Sequence, residues 1–248
     1  MPWDVTLQKY AKEPDPKSAL PESAYLQHDS NSLVIFDGYE KAKYHFLILP
    51  RYPFPDTQIS MENMESISKL LRAPQQEKLK VLHALDTTSK DVTAQIEKEM
   101  QETYGFTWPV QVGFHPVESM KHVHLHVISS DFISPRLKNK KHYNSFNPKA
   151  GFFVHLQDLI KEVNEDHTTL LPKHPQDYED ILKEPLRSHY TGEVFKTIPK
   201  LKEHLELEWE KLGSKATTPS QATKKSRKLS SGPEPQSKRT KASKTNIR

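Results

Sequence analysis

The 248-residue chain contains no cysteine. That excludes disulfides and thiolate metal ligands, and it fits a reducing compartment. Long apolar runs are also missing. No stretch approaches the ~20 residues of a membrane span, and the mean hydropathy is −0.77. The start, Met1-Pro2-Trp3-Asp4, lacks the basic-then-apolar pattern of a secretory signal. These absences give the expectation of a soluble intracellular protein. Neither an internal repeat nor an H-E-x-x-H helix occurs. Acids are scarce at one end: from Gly213 to Arg248 there are ten Lys or Arg and one acid, Glu234, a charge of +9. The other 212 residues hold 26 basic and 31 acidic side chains, a charge of −5, so the overall +4 belongs to the tail.

Histidine, by contrast, is plentiful, with 13 in the chain. Three of them alternate with apolar residues in Lys121-His122-Val123-His124-Leu125-His126-Val127-Ile128. A period of two is that of a β-strand, so the three imidazoles share one face and Val123, Leu125 and Val127 the other. Random scatter of 13 histidines would produce such a row with a chance of about 0.04, a template-counting estimate. Spacing alone leaves three readings open. The row is a half-exposed polar face, a metal site built from alternate strand residues, or a site for acid/base and nucleophilic chemistry on phosphorus.

Hydrophobic patterning predicts a mixture of helices and strands. A short helix is expected over residues 3–11 and a proline-containing loop over 13–31. Strands are expected at Ser32–Phe36 and Tyr44–Leu49, joined through an Asp37-Gly38 turn. Helices follow over 61–72 and 76–103, the second with Leu79, Leu82, Leu85, Val92, Ile96 and Met100 on its inner face. A strand over Gln111–His115 precedes the histidine strand, and a basic stretch runs from Pro135 to Phe146. Residues 152–163 close a first domain of 1–165. Residues 164–185, with three prolines, read as a linker. A small unit to residue 212 contains a helix starting near Pro199. Residues 213–248, rich in Ser, Thr, Pro and Lys, read as a disordered tail.

The histidine row resembles the H-φ-H-φ-H-φ-φ motif of the histidine-triad superfamily. Its flanks narrow the resemblance. Gly113-Phe114-His115-Pro116-Val117-Glu118-Ser119-Met120, Leu137-Lys138-Asn139-Lys140-Lys141-His142-Tyr143-Asn144-Ser145-Phe146, Lys41 to Pro50, and Ile198 to Leu205 are similar to the aprataxin family, in family order, over roughly residues 1–212. With no forkhead-associated domain ahead of the match, the chain resembles the shorter fungal type. The resemblance implies an α+β fold, a histidine-triad antiparallel sheet with helices, followed by a small zinc-finger-like unit. It also implies hydrolysis of 5′-adenylated DNA ends, nicked or double-stranded, to AMP and a 5′-phosphate.

Carried over residue by residue, the resemblance makes His124 the nucleophile, with His122 and His126 orienting it and binding phosphate oxygens. His115 becomes the proton donor or charge stabiliser at the leaving phosphate. Lys41, Asp37 and Ser119 are assigned to the nucleotide and its phosphate, and Arg136, Lys138, Lys140, Lys141 and Tyr143 to DNA. Each has a plainer rival: Lys41 a solvated turn residue, Ser119 a helix cap, His115 a core histidine, the basic run a solvated face. The family has proline before the lysine where this chain has Glu40. No catalytic metal is implied.

The family's finger uses two cysteines before its helix. By register these positions are Ser188 and Thr191, with His204 and Glu208 at the helix positions. Hydroxyls are poor Zn²⁺ ligands beside thiolates. The expectation is therefore that the structural zinc is lost and that Phe195, Ile198, Leu201, Leu205 and Trp209 hold the unit, with His189 open to an irregular metal site. In the tail, Lys224-Lys225-Ser226-Arg227-Lys228 and Lys238-Arg239-Thr240-Lys241 read as a bipartite nuclear import signal, or as a nucleic-acid tether. Two other functions stay open: a small-molecule histidine-triad hydrolase, and a non-catalytic DNA-end binding module.

Overall fold

A computed structural model of the chain describes residues 3–217 except 118, 167–168 and 172–173. A short 3-10 turn leads into α1 (Thr6–Lys12), followed by α2 (Pro16–Ala19), β1 (Tyr25–His28), β2 (Ser32–Phe36) and β3 (His45–Pro50). Next come α3 (Ile67–Leu70), the long α4 (Gln75–Tyr104), β4 (Val110–Phe114) and β5 (Leu125–Ser129). The remaining elements are α5 (Lys140–Asn144), β6 (Val154–His155), α6 (Leu156–Asn164), α7 (Pro175–Lys183), β7 (Leu186–Arg187), β8 (Val194–Phe195) and α8 (Ile198–Thr217). The first six strands form one antiparallel sheet in the order β1-β2-β3-β5-β4-β6, and β7 pairs with β8.

The strand sequences SLVIF and HFLILP are buried on both faces, so they read as near-continuous apolar runs rather than alternating ones. Val34, Phe46, Ile48, Leu125 and Val127 join one core with Val81, Leu82, Leu85, Val92, Ile96 and Met100 of α4. Taken with the buried Thr88, positions 82, 85, 88, 92, 96 and 100 recur at three- and four-residue steps, the spacing of one helical face. Burying each such side chain contributes about 1.5–3 kcal/mol, which fixes which face of the sheet α4 covers. The helix stops at Gly105, whose φ of 77° is left-handed and whose N–H bonds the Gln101 carbonyl.

The opposite face carries Leu33, Ile35, Leu47 and Leu49 against Leu7, Ala11 and Leu20 from the first two helices. Strand register puts His126 directly opposite Leu47 on one side and Gly113 on the other. Gly113 has to be glycine. A Cβ there would come 2.3 Å from the Val154 carbonyl oxygen and 2.6 Å from the Phe153 ring.

Three segments differ from the sequence expectations. Residues 13–31 contain α2 and β1; β1 is half-exposed along its length and carries no apolar signal. Residues 164–185 contain α7, and Tyr178 and Leu171 are core residues. There the proline that looked like linker punctuation is Pro175 at the helix start, behind His174, whose ring accepts the Gln176 N–H. The histidine strand begins only at Leu125. His122 has a φ of 103°, and the N–H groups of His122 and Val123 bond the carbonyls of Glu65 and Met64. The described residues belong to one compact unit. The last helix continues through Gly213 to Thr217, and the basic clusters at 224–241 lie outside the described residues.

Candidate active site

A cavity of about 580 Å³ opens beside the ends of β3, β4 and β5. Its lining includes Asp37, Lys41, His45, His115, Ser119, His124 and His126, with Leu7, Leu47 and Met120 as an apolar wall. Sequence positions 37 to 126 therefore converge because β3, β5 and β4 are neighbours in the sheet.

The hydrogen bonds fix a proton arrangement, assigned from donors and acceptors. The Lys41 N–H donates to His45 Nδ1 at 3.2 Å, so the His45 proton sits on Nε2. From there it points at His126 Nδ1, 3.0 Å away, and lies 3.3 Å from Asp37 Oδ2. With Nδ1 accepting, His126 carries its proton on Nε2, which is buried and has no partner. His124 Nδ1 lies 2.7 Å from the His122 carbonyl oxygen. A carbonyl only accepts, so Nδ1 holds the proton and Nε2 keeps its lone pair. The cavity thus offers one bare imidazole nitrogen on His124 and one unspent N–H on His126. His115 Nε2 is also buried without a partner, and its ring lies 4.6 Å from that of His126 and 4.4 Å from Phe146.

Burial keeps these rings neutral. Desolvation pushes His45 down to about 4 and His115 down to about 3 from the usual imidazole value. It also lowers His124, and holds His126 well below its ordinary value. Positive charge therefore comes from lysine and arginine, not from the imidazoles. Lys41 is itself buried, which lowers its pKa; Asp37 and Glu40 oppose that shift. Its ammonium donates to the Tyr39 carbonyl.

Several assignments made from the sequence change. His122 does not line the cavity. Its Nε2–H donates to the Pro50 carbonyl at 2.6 Å, and the residue serves through its own carbonyl, which orients His124. The left-handed φ that aims this carbonyl is a strain a non-glycine residue adopts only when surroundings enforce it. Tyr143 is fully buried and is no surface DNA contact. Its hydroxyl bonds the Arg187 carbonyl and accepts the His189 N–H, both at 3.0 Å. Lys140 is not among the lining residues, and its ammonium donates to the Lys183 carbonyl at 3.3 Å. Both Asp37 oxygens are engaged, one by the Tyr39 N–H at 2.8 Å and the other by His45.

Arg136, Lys138 and Lys141 do reach the cavity, at its rim. Arg136 pairs with Glu40 at 3.1 Å, and Ser134 bonds the Glu40 carbonyl, so the residue that replaces the family proline ties the loop to the rim. His45, Tyr39, His142 and Phe146 line the cavity but were not singled out from the sequence. His45 had a signal: a histidine leading the apolar run His45-Phe46-Leu47-Ile48-Leu49 is buried with a purpose. Asp37, His45 and His126 bring three potential metal-ligand atoms within 4.8 Å of one another. In this arrangement their hydrogen bonds are made among themselves.

Known proteins resemble the chain over most of its length. Residues 5–142 match the family model of the scavenger mRNA decapping enzyme C-terminal binding region, and residues 149–211 match the C2HE / C2H2 / C2HC zinc-binding finger. Aprataxin from Danio rerio is 37% identical over 177 residues, covering 71% of this chain and 47% of that protein. An aprataxin-like protein from Saccharomyces cerevisiae is 31% identical over 228 residues, covering 84% of this chain and 97% of that protein. The fold matches the structure of Hnt3 in complex with DNA and guanosine, with TM-score 0.60, 24% identity, 85% of this chain and 97% of that one covered. Antiparallel sheet and imidazole cluster together define a histidine-triad protein. Within that class the chain belongs to the aprataxin family. It spans about half the length of the vertebrate relatives, 47% and 50%.

Proposed function

We propose that this protein is a DNA repair hydrolase that removes AMP from 5′-adenylated DNA ends. The observation that carries the reading is the bare Nε2 of His124, held by the His122 carbonyl 2.7 Å from Nδ1 inside a cavity with cationic rim residues. Nε2 attacks the AMP phosphorus, a P–N bond forms, and the P–O bond to the DNA 5′-phosphate breaks. The His126 N–H donates to a non-bridging oxygen as charge develops, and Lys41 adds positive charge. His115 faces the leaving 5′-phosphate, which departs as an anion with little need of a proton. Water then attacks the histidine–AMP phosphorus, releasing AMP and restoring His124. Asp37 and His45 hold the His126 tautomer; Ser119 hydrogen-bonds a phosphate oxygen. No metal is required by these steps.

DNA is the partner the rim supports, through Arg136, Lys138 and Lys141, which contact phosphates rather than bases. The similarly folded Hnt3, seen with DNA and guanosine, and the aprataxin relatives support the same reading. The basic clusters at 224–228 and 238–241 are proposed to direct nuclear import; a fluorescent fusion that stays nuclear after both clusters are neutralised would reject this.

The test compares kcat/KM on a 5′-adenylated nicked duplex with that on AMP-lysine and on a diadenosine polyphosphate. Preference for adenylated DNA is expected. Preference for the small molecules would replace this reading with a small-molecule hydrolase, and binding without turnover would replace it with a DNA-end module.

A further inference from the structure

The zinc-binding finger model covers residues 149–211, yet the donors at its metal positions bond one another. The β7–β8 hairpin carries Ser188 and Thr191, and α8 carries His204 and Glu208. Ser188 is fully buried. Its Oγ accepts the N–H groups of Tyr190 and Thr191 at 3.2 and 3.3 Å and lies 3.0 Å from His204 Nε2. Thr191 Oγ1 lies 3.2 Å from the same nitrogen and accepts the Glu193 N–H at 3.3 Å. The fourth donor has a partner of its own: Glu208 Oε1 accepts from Lys211 Nζ at 2.7 Å. A tetrahedral zinc site of this class is built from thiolate, imidazole and carboxylate. Two neutral hydroxyls, closed onto the one imidazole nitrogen they would share with the ion, do not fit it.

A small finger ordinarily needs its metal because it cannot bury a core of its own. This unit shares one. Leu186, Leu201 and Leu205 are buried in a cluster with Ile128, Phe132 and Phe153 of the sheet domain. Beyond Glu208, the Trp209 ring packs edge-on against Tyr104 and Trp108 at 5.4 and 5.2 Å, and the Lys43 ammonium sits 4.4 Å from its centroid. Polar staples complete the seam: the Tyr143 hydroxyl and Asn147 Nδ2 both bond the Arg187 carbonyl at 3.0 Å, and Lys202 Nζ bonds the Ser134 carbonyl at 2.7 Å.

We infer that the C-terminal unit is a metal-independent finger in which the His204 imidazole, bonded by the Ser188 and Thr191 hydroxyls, takes the place of the ion. The core shared with the catalytic sheet supplies the stability a zinc ion would otherwise add. Folding of the chain is then indifferent to chelators, and with no cysteine present it is indifferent to thiol oxidants too. This inference stands apart from the proposed reaction, since none of its readouts is turnover.

The test uses the full-length protein, purified without chelator and then incubated with equimolar Zn²⁺. Elemental analysis after desalting should find zinc far below one per chain, and Tm should be the same with and without EDTA. One tightly held zinc, or a Tm that falls on chelation, would overturn the inference. His204→Ala should lower Tm by about 2–8 °C through its two lost hydrogen bonds. An unchanged Tm would remove His204 as the hub. The double variant Ser188→Cys/Thr191→Cys restores the thiolates on the same framework. It should take up one zinc per chain and acquire a chelator-sensitive Tm. Failure of that variant, while folded by circular dichroism, to bind zinc would show that the hub does not stand where the metal stood.

Discussion

The floor of the cavity and its rim are built on opposite electrostatic terms. On the floor, His45, His124 and His126 are buried, His115 is half-buried, and all four are neutral; their specificity lies in which nitrogen carries the proton. At the rim, Arg136 and Lys141 are half exposed, with side-chain accessibilities of 51% and 57%, and their ion pairs with Glu40 and Glu179 are solvated. Burying a charge without a partner costs several kcal/mol, whereas holding one at the surface costs little. The sheet can therefore fix neutral, directional groups, while charge, Lys41 and Asp37 apart, is left to residues that tolerate movement. Bond-making belongs to the first set and affinity to the second.

The largest effect that could break this division is on turnover. His124→Ala should lower kcat for adenylated DNA by about 10⁴-fold or more, the scale for losing a nucleophile, while the Kd for the same DNA changes little. Single-turnover kinetics and fluorescence anisotropy measure the two. Persistent turnover would remove His124 as the nucleophile. His126→Ala removes a donor rather than the nucleophile, so a loss of about 10²–10³-fold is expected.

Acid should act on the floor before it acts on the rim. In the unfolded chain a histidine titrates near 6.5, but burial holds His45 and His122 down at about 4 and His115 at about 3. Between those values and 6.5 the unfolded state binds protons that the folded state refuses. Stability is therefore fully present above 6.5 and is lost as pH falls toward 4, by about 1.4 kcal/mol per unit for each such group. Tm measured from pH 7.5 to 5 should fall steeply, and His122→Gln should flatten the fall. A Tm flat across that range would mean that the floor is already charged. Because His124 is lowered in the same direction, the acid limb of kcat/KM should lie below 6.5.

How far these parts were legible in the sequence follows the same physics. The period-two row at 122–126 carried the site; β2 and β3 were clear as short continuous apolar runs, and α4 because it buries a regular apolar face. Three things were hidden. The positive φ at His122 depends on carbonyls of residues 64 and 65, which no local pattern announces. Helix α7 hid behind Pro175, the proline that starts it. Tyr143 sat in a basic run, yet its side chain turns inward because α5 is a single helical turn with its charged face out and its aromatic face on Phe132, 6.0 Å away. Composition named the run correctly as basic, but only the folded backbone, α5 and the segment before it, decides which members face the cavity.

That last distinction gives the smallest and most discriminating test. Lys138 lines the cavity, whereas Lys140 of the same run leans on the Lys183 carbonyl. Lys138→Ala should weaken DNA binding several-fold near physiological salt and reduce the slope of log K against log salt by about 1, the signature of one lost phosphate contact. Lys140→Ala should leave that slope within error. Tyr143→Phe should also leave it alone, yet it removes the hydroxyl that bonds Arg187 and His189 and should lower Tm by about 2–8 °C. A slope that fell equally for Lys138 and Lys140 would mean that DNA lies across the whole basic run. A slope that fell for Tyr143→Phe would tie affinity to the seam beneath the rim, and the separation of floor from rim would fail at that point.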